Sequence, residues 1–183
     1  MHNPHQRVSS LPGTREEREA RVAAQRWPDV ELIVEQAEDP HNIGAMLRTC
    51  DAVGIGTVHL VYSEERPARL AEVSETAMSA AKWLTIRKWT SVEECLADVK
   101  ARGLAVYVTA LDPSAVSHFD VDWKKPCAIA MGTEREGASE TLLGAADAKI
   151  AIPMRGFVQS LNVSVAAAVV MYEIVRQRTA EGG

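Results

Sequence analysis

One pattern constrains the fold more than any other: short apolar runs alternating with helical segments. From Val30 onward the runs are VELIVE (30–35), TVHLVY (57–62), LTIRKW (84–89), LAVYVTA (104–110), CAIAM (127–131) and KIAIP (149–153). Runs this short and rich in β-branched residues read as strands. Between the first two, Ile43, Met46, Leu47, Cys50 and Val53 recur at helical spacing. Ser91 with Glu94 makes a capping box, and the helix that it opens stops at Gly103. Alternation of this kind predicts an α/β fold, with a mostly parallel sheet flanked by helices on both faces.

Size and composition agree. A single domain of 183 residues buries about 70% of the surface that its unfolded chain exposes. A content of 46% hydrophobic and 25% charged residues is ordinary for a globular protein. Cys50, Cys95 and Cys127 are odd in number and far apart, so they give no disulfide framework or ligand cluster, and a reducing compartment is expected. The five histidines show no metal spacing. The longest near-continuous apolar run, Val163 to Tyr172, has ten residues, against the roughly 20 that a bilayer span needs. No secretory signal is visible. The expectation is a cytoplasmic protein with no membrane span and no metal.

Charge is unevenly divided. The net charge is -5, yet residues 1–26 hold Arg7, Arg15, Arg18, Arg21 and Arg26 against three glutamates. Residues 1–13 read as a flexible arm. Thr14 with Glu17 forms a capping box, and helix formers continue to Trp27 until Pro28 ends them, which predicts a basic N-terminal helix. The chain therefore divides into 1–29, arm and helix, and 30–183, the main domain. Arg15, Arg18, Arg21 and Arg26 are candidate RNA contacts; a solvated helix face is the competing reading.

The last helix is expected from near Asn162 to about Arg178. Val163, Val165, Ala166, Ala167, Val169 and Val170 cover most of its circumference, which implies burial on several sides. A second subunit packed against it and a central place in a monomer both satisfy that pattern.

Ligands of open α/β sheets bind beyond the carboxyl ends of the strands. Three loops expected there have unusual content: EDPHN (38–42), leading into the helix with Arg48; GTEREG (132–137); and MRGFVQSLN (154–162). Each residue also has a purely structural reading. Asn42, Ser160 and Asn162 suit helix caps, and Glu134 suits a surface. Arg48 lies opposite the apolar stripe of its helix. Gly132 and Gly137 suit turns or a close backbone approach to a ligand. GTEREG is neither a phosphate loop nor a dinucleotide fingerprint.

Taken in order, NIGAMLR (42–48), MGTEREG (131–137) and IPMRGFVQSLNVSVA (152–166) resemble the three motifs of the TrmH (SpoU) family of SPOUT methyltransferases. The resemblance runs from Val30 to about Val175. It implies transfer of a methyl group from S-adenosylmethionine to a ribose 2'-hydroxyl of structured RNA, a C-terminal deep trefoil knot that holds the cofactor, and a homodimer. It carries over Arg48 as the catalytic arginine and Asn42, Glu134, Ser160 and Asn162 as polar site residues. Gly132, Ile152 and Leu161 carry over as cofactor contacts, with Leu111, in the loop after the fourth strand, as a further one.

The chemistry suits these residue types. A sulfonium carbon is already electrophilic, so the enzyme chiefly aligns an oxygen with it. The alcohol is a poor nucleophile until its proton leaves. The family's usual proposal makes the arginine the base, whereas a guanidinium, with a pKa above about 12, equally suits pinning a phosphate and stabilising the alkoxide. Members of the family that act on transfer RNA often carry N- and C-terminal helices for substrate binding, so the resemblance, together with the N-terminal helix, implies transfer RNA, with a D-loop guanosine as the leading target. Alternatives are a ribosomal-RNA 2'-O-methyltransferase, commonly built with a separate N-terminal RNA-binding domain for which 29 residues leave no room, and a non-enzymatic RNA-binding protein retaining the fold.

Overall fold

The computed structural model describes residues 12–63 and 81–180; the arm expected over residues 1–13 lies, except for its last two residues, outside the described residues. Along the chain come α1 (Arg15–Ala23), β1 (Trp27–Glu35), α2 (Pro40–Val53), β2 (Ile55–Val61), β3 (Thr85–Trp89), α3 (Val92–Ala101), β4 (Ala105–Thr109), β5 (Val116–Ser117), β6 (Cys127–Met131), α4 (Glu140–Ala145), β7 (Ala148–Ala151) and α5 (Val163–Thr179). The strands form one sheet in the order β3-β2-β1-β6-β4-β7-β5, and every pairing is parallel. Parallel neighbours need crossovers; α2 lies in the one from β1 to β2, whereas the one from β4 to β6 is loop with β5 and no helix.

Period-2 alternation sends side chains to two cores. Leu32 and Val34 of β1, with Ile129 and Met131 of β6, pack with Ile43, Met46 and Leu47 of α2 and Val170, Met171 and Ile174 of α5. Ile33 between them joins Ala128 and Ala130 under Cys95, Leu96 and Val99 of α3 and Leu142 of α4. Both faces of β1 and β6 are therefore covered, which explains their nearly unbroken apolar sequence. The register sets Val34 beside Met131 and Glu35 beside Val61, so the loops after β1 and β6 leave the sheet side by side.

The expected N-terminal helix is shorter than its sequence pattern. It ends at Ala23, and Trp27 and Pro28 open β1 instead. The reason is tertiary: the Trp27 backbone N–H donates to Gly54 O (2.9 Å), its indole Nε1 donates to Val53 O (2.9 Å), and the Arg178 guanidinium lies over its ring. Pro28 is tolerated so near the start of a strand. The two-residue β5 had no sequence signal of its own.

α5 follows its expected span, with Asn162 as the N-cap. Its burial is less complete than its apolar content suggested. Ala167, Val170, Met171 and Ile174 are buried, but Val165 and Tyr172 are about half exposed, at 48% and 56%. One stripe of an otherwise apolar helix is thus open in the single chain. Among the described residues no helix is long and apolar enough to cross a membrane.

Candidate active site

The site is assembled by the loops at the carboxyl ends of β1, β6 and β7. After β1 the chain turns sharply: Gln36 adopts a positive φ of 52°, and its N–H donates to Val61 O (3.0 Å). The buried Tyr62 hydroxyl donates to Ala37 O (2.8 Å). Asp39 then caps α2 by accepting the His41 N–H (2.8 Å), with Pro40 in the first helical turn. Asp39, not Asn42, is therefore the cap. That leaves the Asn42 amide available for longer contacts.

Asn42 joins all three loops. Its Nδ2 donates to Glu134 Oε1 (2.8 Å), and its Oδ1 accepts from Asn162 Nδ2 (3.0 Å). Glu134 also accepts the backbone N–H groups of Glu38 (3.1 Å) and Asp39 (3.4 Å). Asn162 caps α5 with its Oδ1, accepting from the Ser164 and Val165 N–H groups. Burial pushes the Glu134 carboxyl up, but the donors from Asn42, Glu38 and Asp39 outweigh it and hold the group below its ordinary value. Glu134 is consequently an ionised acceptor that ties the loops together.

The 132–137 loop is closed by its own backbone. Thr133 and Gly137 exchange both N–H···O bonds (2.8 and 3.2 Å), and Gly137 adopts a left-handed φ of 74° that glycine accepts freely. A Cβ on Gly132 would collide with the backbone of Gly137 and Ala138. The requirement for glycine at 132 thus comes from the chain's own return and needs no ligand.

Between these loops and the ends of β4 and β7 lies a cleft of about 610 Å³. All four expected cofactor residues, Leu111, Gly132, Ile152 and Leu161, line it, as do Glu134, Ser160 and Asn162. Thr109, Met131, Met154 and Gln159 line it too and were not singled out in the sequence. Thr109 and Met131 are the last residues of β4 and β6, so the rule that sites form beyond strand ends was the signal that would have found them. Glu35 was also missed. It is buried at the end of β1 and accepts the Ser139 N–H (2.9 Å), anchoring the chain just beyond the 132–137 loop.

Arg48 is placed differently. It lies exposed on α2, on the side away from the core, and is not among the residues lining the cleft. The N-terminal arginines also differ among themselves. Arg15 pairs with Glu19 on an exposed face, and Arg21 donates to the backbone oxygens of Glu17 and Pro12. Arg18 belongs to the same helix, in which no residue is buried. Arg26 is instead tied to the body, bonding Asp51 (2.7 Å) and Ile55 O (3.2 Å). Among the described residues no cluster of metal-ligating side chains occurs.

Residues 29–172 match the model of the SpoU rRNA Methylase family. The chain is similar to the tRNA (guanosine(18)-2'-O)-methyltransferase of Thermus thermophilus, with 43% identity over 161 residues, covering 88% of this chain and 81% of the relative. The crystal structure of the Aquifex aeolicus TrmH/SpoU tRNA modifying enzyme superposes with a TM-score of 0.82 at 34% identity, covering 91% of this chain and 85% of that one. An AdoMet-bound rRNA methyltransferase from Sinorhizobium meliloti superposes with a TM-score of 0.74 at 26% identity, covering 85% and 59%.

Proposed function

The chain belongs to the SpoU methylase family, and on that premise we propose that it uses S-adenosylmethionine to methylate the ribose 2'-hydroxyl of guanosine 18 in the D-loop of transfer RNA. The observation that carries this reading is the cleft: it is lined by the loops after β4, β6 and β7, and two of these are tied to each other, Glu134 to Asn162, through Asn42 of α2, which stands behind the cleft and is not among its lining residues. The relatives named for guanosine 18 favour transfer RNA.

The cleft fits the cofactor. Its volume is that of a small-molecule site, and apolar side chains of Leu111, Ile152 and Leu161 share its wall with backbone of the 132–137 loop. When bound, the cofactor supplies a sulfonium methyl group. The chain's residues hold the reacting geometry. Asn42 bonds Glu134 through its Nδ2 and Asn162 through its Oδ1, which suits it to positioning the loops of the site. Glu134, held ionised by its donors, is a weak base and serves the same lock. Arg48 is exposed and suited to a phosphate beside the target ribose, where a fixed positive charge also stabilises the developing alkoxide. Ser160, on the cleft wall, is placed to meet the nucleotide.

Two further features belong to this reading. β7 lies between β4 and β5, yet α5 packs against α2 and β6; the 152–162 segment thus crosses the carboxyl edge of the sheet, which supports a deep trefoil knot. The open stripe of Val165 and Tyr172, with exposed Phe157 and Val158 before α5, supports a homodimer, and Arg48 standing outside its own chain's cleft supports sites that draw on both subunits. α1, with no buried residue, supports treating the segment up to Ala24 as an appended RNA-binding arm, whereas Arg26 and Trp27–Asp29 belong to the body and to β1. A cytoplasmic location accompanies a transfer-RNA substrate.

The test is to incubate the protein with methyl-labelled cofactor and separate pools of transfer and ribosomal RNA, then map the label. Label at guanosine 18, lost when that base is replaced, is expected. Label in ribosomal RNA overturns the target, and cofactor binding with no labelled RNA overturns the activity.

A further inference from the structure

The loop after β4 is braced far more firmly than an exposed connection requires. The backbone N–H of Ala110 donates to Ile150 O of β7 (3.0 Å). Two residues on, Asp112 reaches the strand residue next to Ile150: Lys149 Nζ donates to Asp112 Oδ2 (2.6 Å). The other carboxylate oxygen, Oδ1, accepts from the Ser114 N–H (2.7 Å) and Oγ (2.6 Å), and the Ala115 N–H donates to Asp112 O (2.9 Å). One oxygen therefore folds the loop on itself while the other bolts it to β7. Both partners of the ion pair are about two-thirds buried. The bonds from Lys149 and Ser114 hold the Asp112 carboxyl well below the usual carboxylate range, so the pair persists at neutral pH.

Between the two anchored residues sits Leu111. Its backbone is fixed on both sides, yet its side chain is 73% exposed at the wall of the cleft. A leucine on a mobile tip costs binding energy when it is ordered, whereas one on a braced loop has spent that entropy beforehand.

We infer that the Asp112–Lys149 ion pair is a positioning device of the cofactor site, holding the 110–115 loop so that the Leu111 side chain is kept at the cleft wall where it would contact the cofactor. The inference rests on the cofactor binding proposed above. Asp112 also borders the cleft, but both its carboxylate oxygens are taken, by Lys149 and by Ser114, so the pair acts through Leu111. An isolated surface pair contributes little because two flexible side chains must be ordered for it; here Ser114 already fixes the carboxylate.

Calorimetry with S-adenosylhomocysteine on the full chain tests this. Asp112→Asn and Lys149→Gln are each expected to weaken binding about fivefold, with Lys149→Arg close to wild type. Leu111→Ala is expected to weaken it about tenfold, and Asp112→Asn added to Leu111→Ala is expected to cost little more, since the pair acts through that side chain. In turnover the losses should fall on KM for the cofactor and spare kcat. Wild-type affinity in both pair variants, or full additivity with Leu111→Ala, overturns the inference. Failure of the folded wild-type protein to bind S-adenosylhomocysteine overturns the proposed function itself.

Discussion

At the scale of single residues, Arg48 and Asn42 show how one helix separates two tasks. They lie six positions apart on α2, one exposed and one buried in the inter-loop lock. Arg48→Ala opens no core cavity, so we expect methyl transfer to fall about a hundredfold or more while thermal stability and S-adenosylhomocysteine affinity stay near wild type. Lysine should not rescue it, because the planar fork is lost. Turnover near wild type in the alanine variant would return Arg48 to a solvated helix face. Gly132→Ala should behave oppositely. Its Cβ meets backbone and no movable side chain, so the 132–137 loop must shift, at a cost of about 2 kcal/mol, visible as a lower Tm together with weaker cofactor binding. The sequence singled out both residues. For Gly132 it offered a turn or a close approach to a ligand; the structure gives the chain's own return, and that 137–138 fills the space is invisible in the pattern of the loop alone.

Elements were legible where a local rule decides them. The apolar spacing from Ile43 to Val53 gave α2, whose buried residues include all five positions, and Ser91 and Asn162 cap α3 and α5. The rule failed at α1, where Trp27 and Pro28 read as the end of a helix but start a strand, because the Trp27 bonds to Val53 and Gly54 outweigh local helix preference. α1 carries a prediction of its own. Deleting residues 1–24, which spares the Arg26–Asp51 pair, should weaken transfer-RNA binding and flatten its salt dependence by about 0.7–0.9 in slope for each RNA phosphate that the helix neutralises, leaving S-adenosylhomocysteine affinity unchanged. Filter binding across a salt series reads this directly, and an unchanged slope makes the helix a solvated appendage.

For the whole molecule, stability toward acid depends on a network remote from the cleft. Glu31 of β1 is buried and bonds Arg102, the C-cap of α3, through Nη2 at 2.9 Å and also through Nη1, and His59 of β2 (2.8 Å). The Trp89 indole, a donor only, bonds His59 Nδ1 (2.9 Å), so the ring proton sits on Nε2 and points to Glu31. Burial raises the Glu31 pKa, but the bonds from His59 and Arg102 prevail and bring it to about 2. A depressed carboxylate contributes stability that is fully present above its unfolded value and fades as pH falls toward the folded one. Wild-type stability should therefore decline as pH falls from the ordinary carboxylate range toward 2. Glu31→Gln, which leaves Arg102 short of its buried partner, should cost about 3 kcal/mol at neutral pH and show a shallower decline; urea melts across that range decide it. The sequence by itself determined the alternating strands and helices, the parallel sheet and the three motif segments, because periodicity and turn chemistry are local and report which side of an element is buried. Only the tertiary structure decided that Asn42 meets Glu134 and Asn162 across 92 and 120 residues, that Arg48 stands outside the cleft while Arg26 is tied into the body, and that Asp112 is bolted to β7. Those contacts follow from strand order and register, which fix the distances between segments remote along the chain, and no local pattern of apolar and polar residues encodes them.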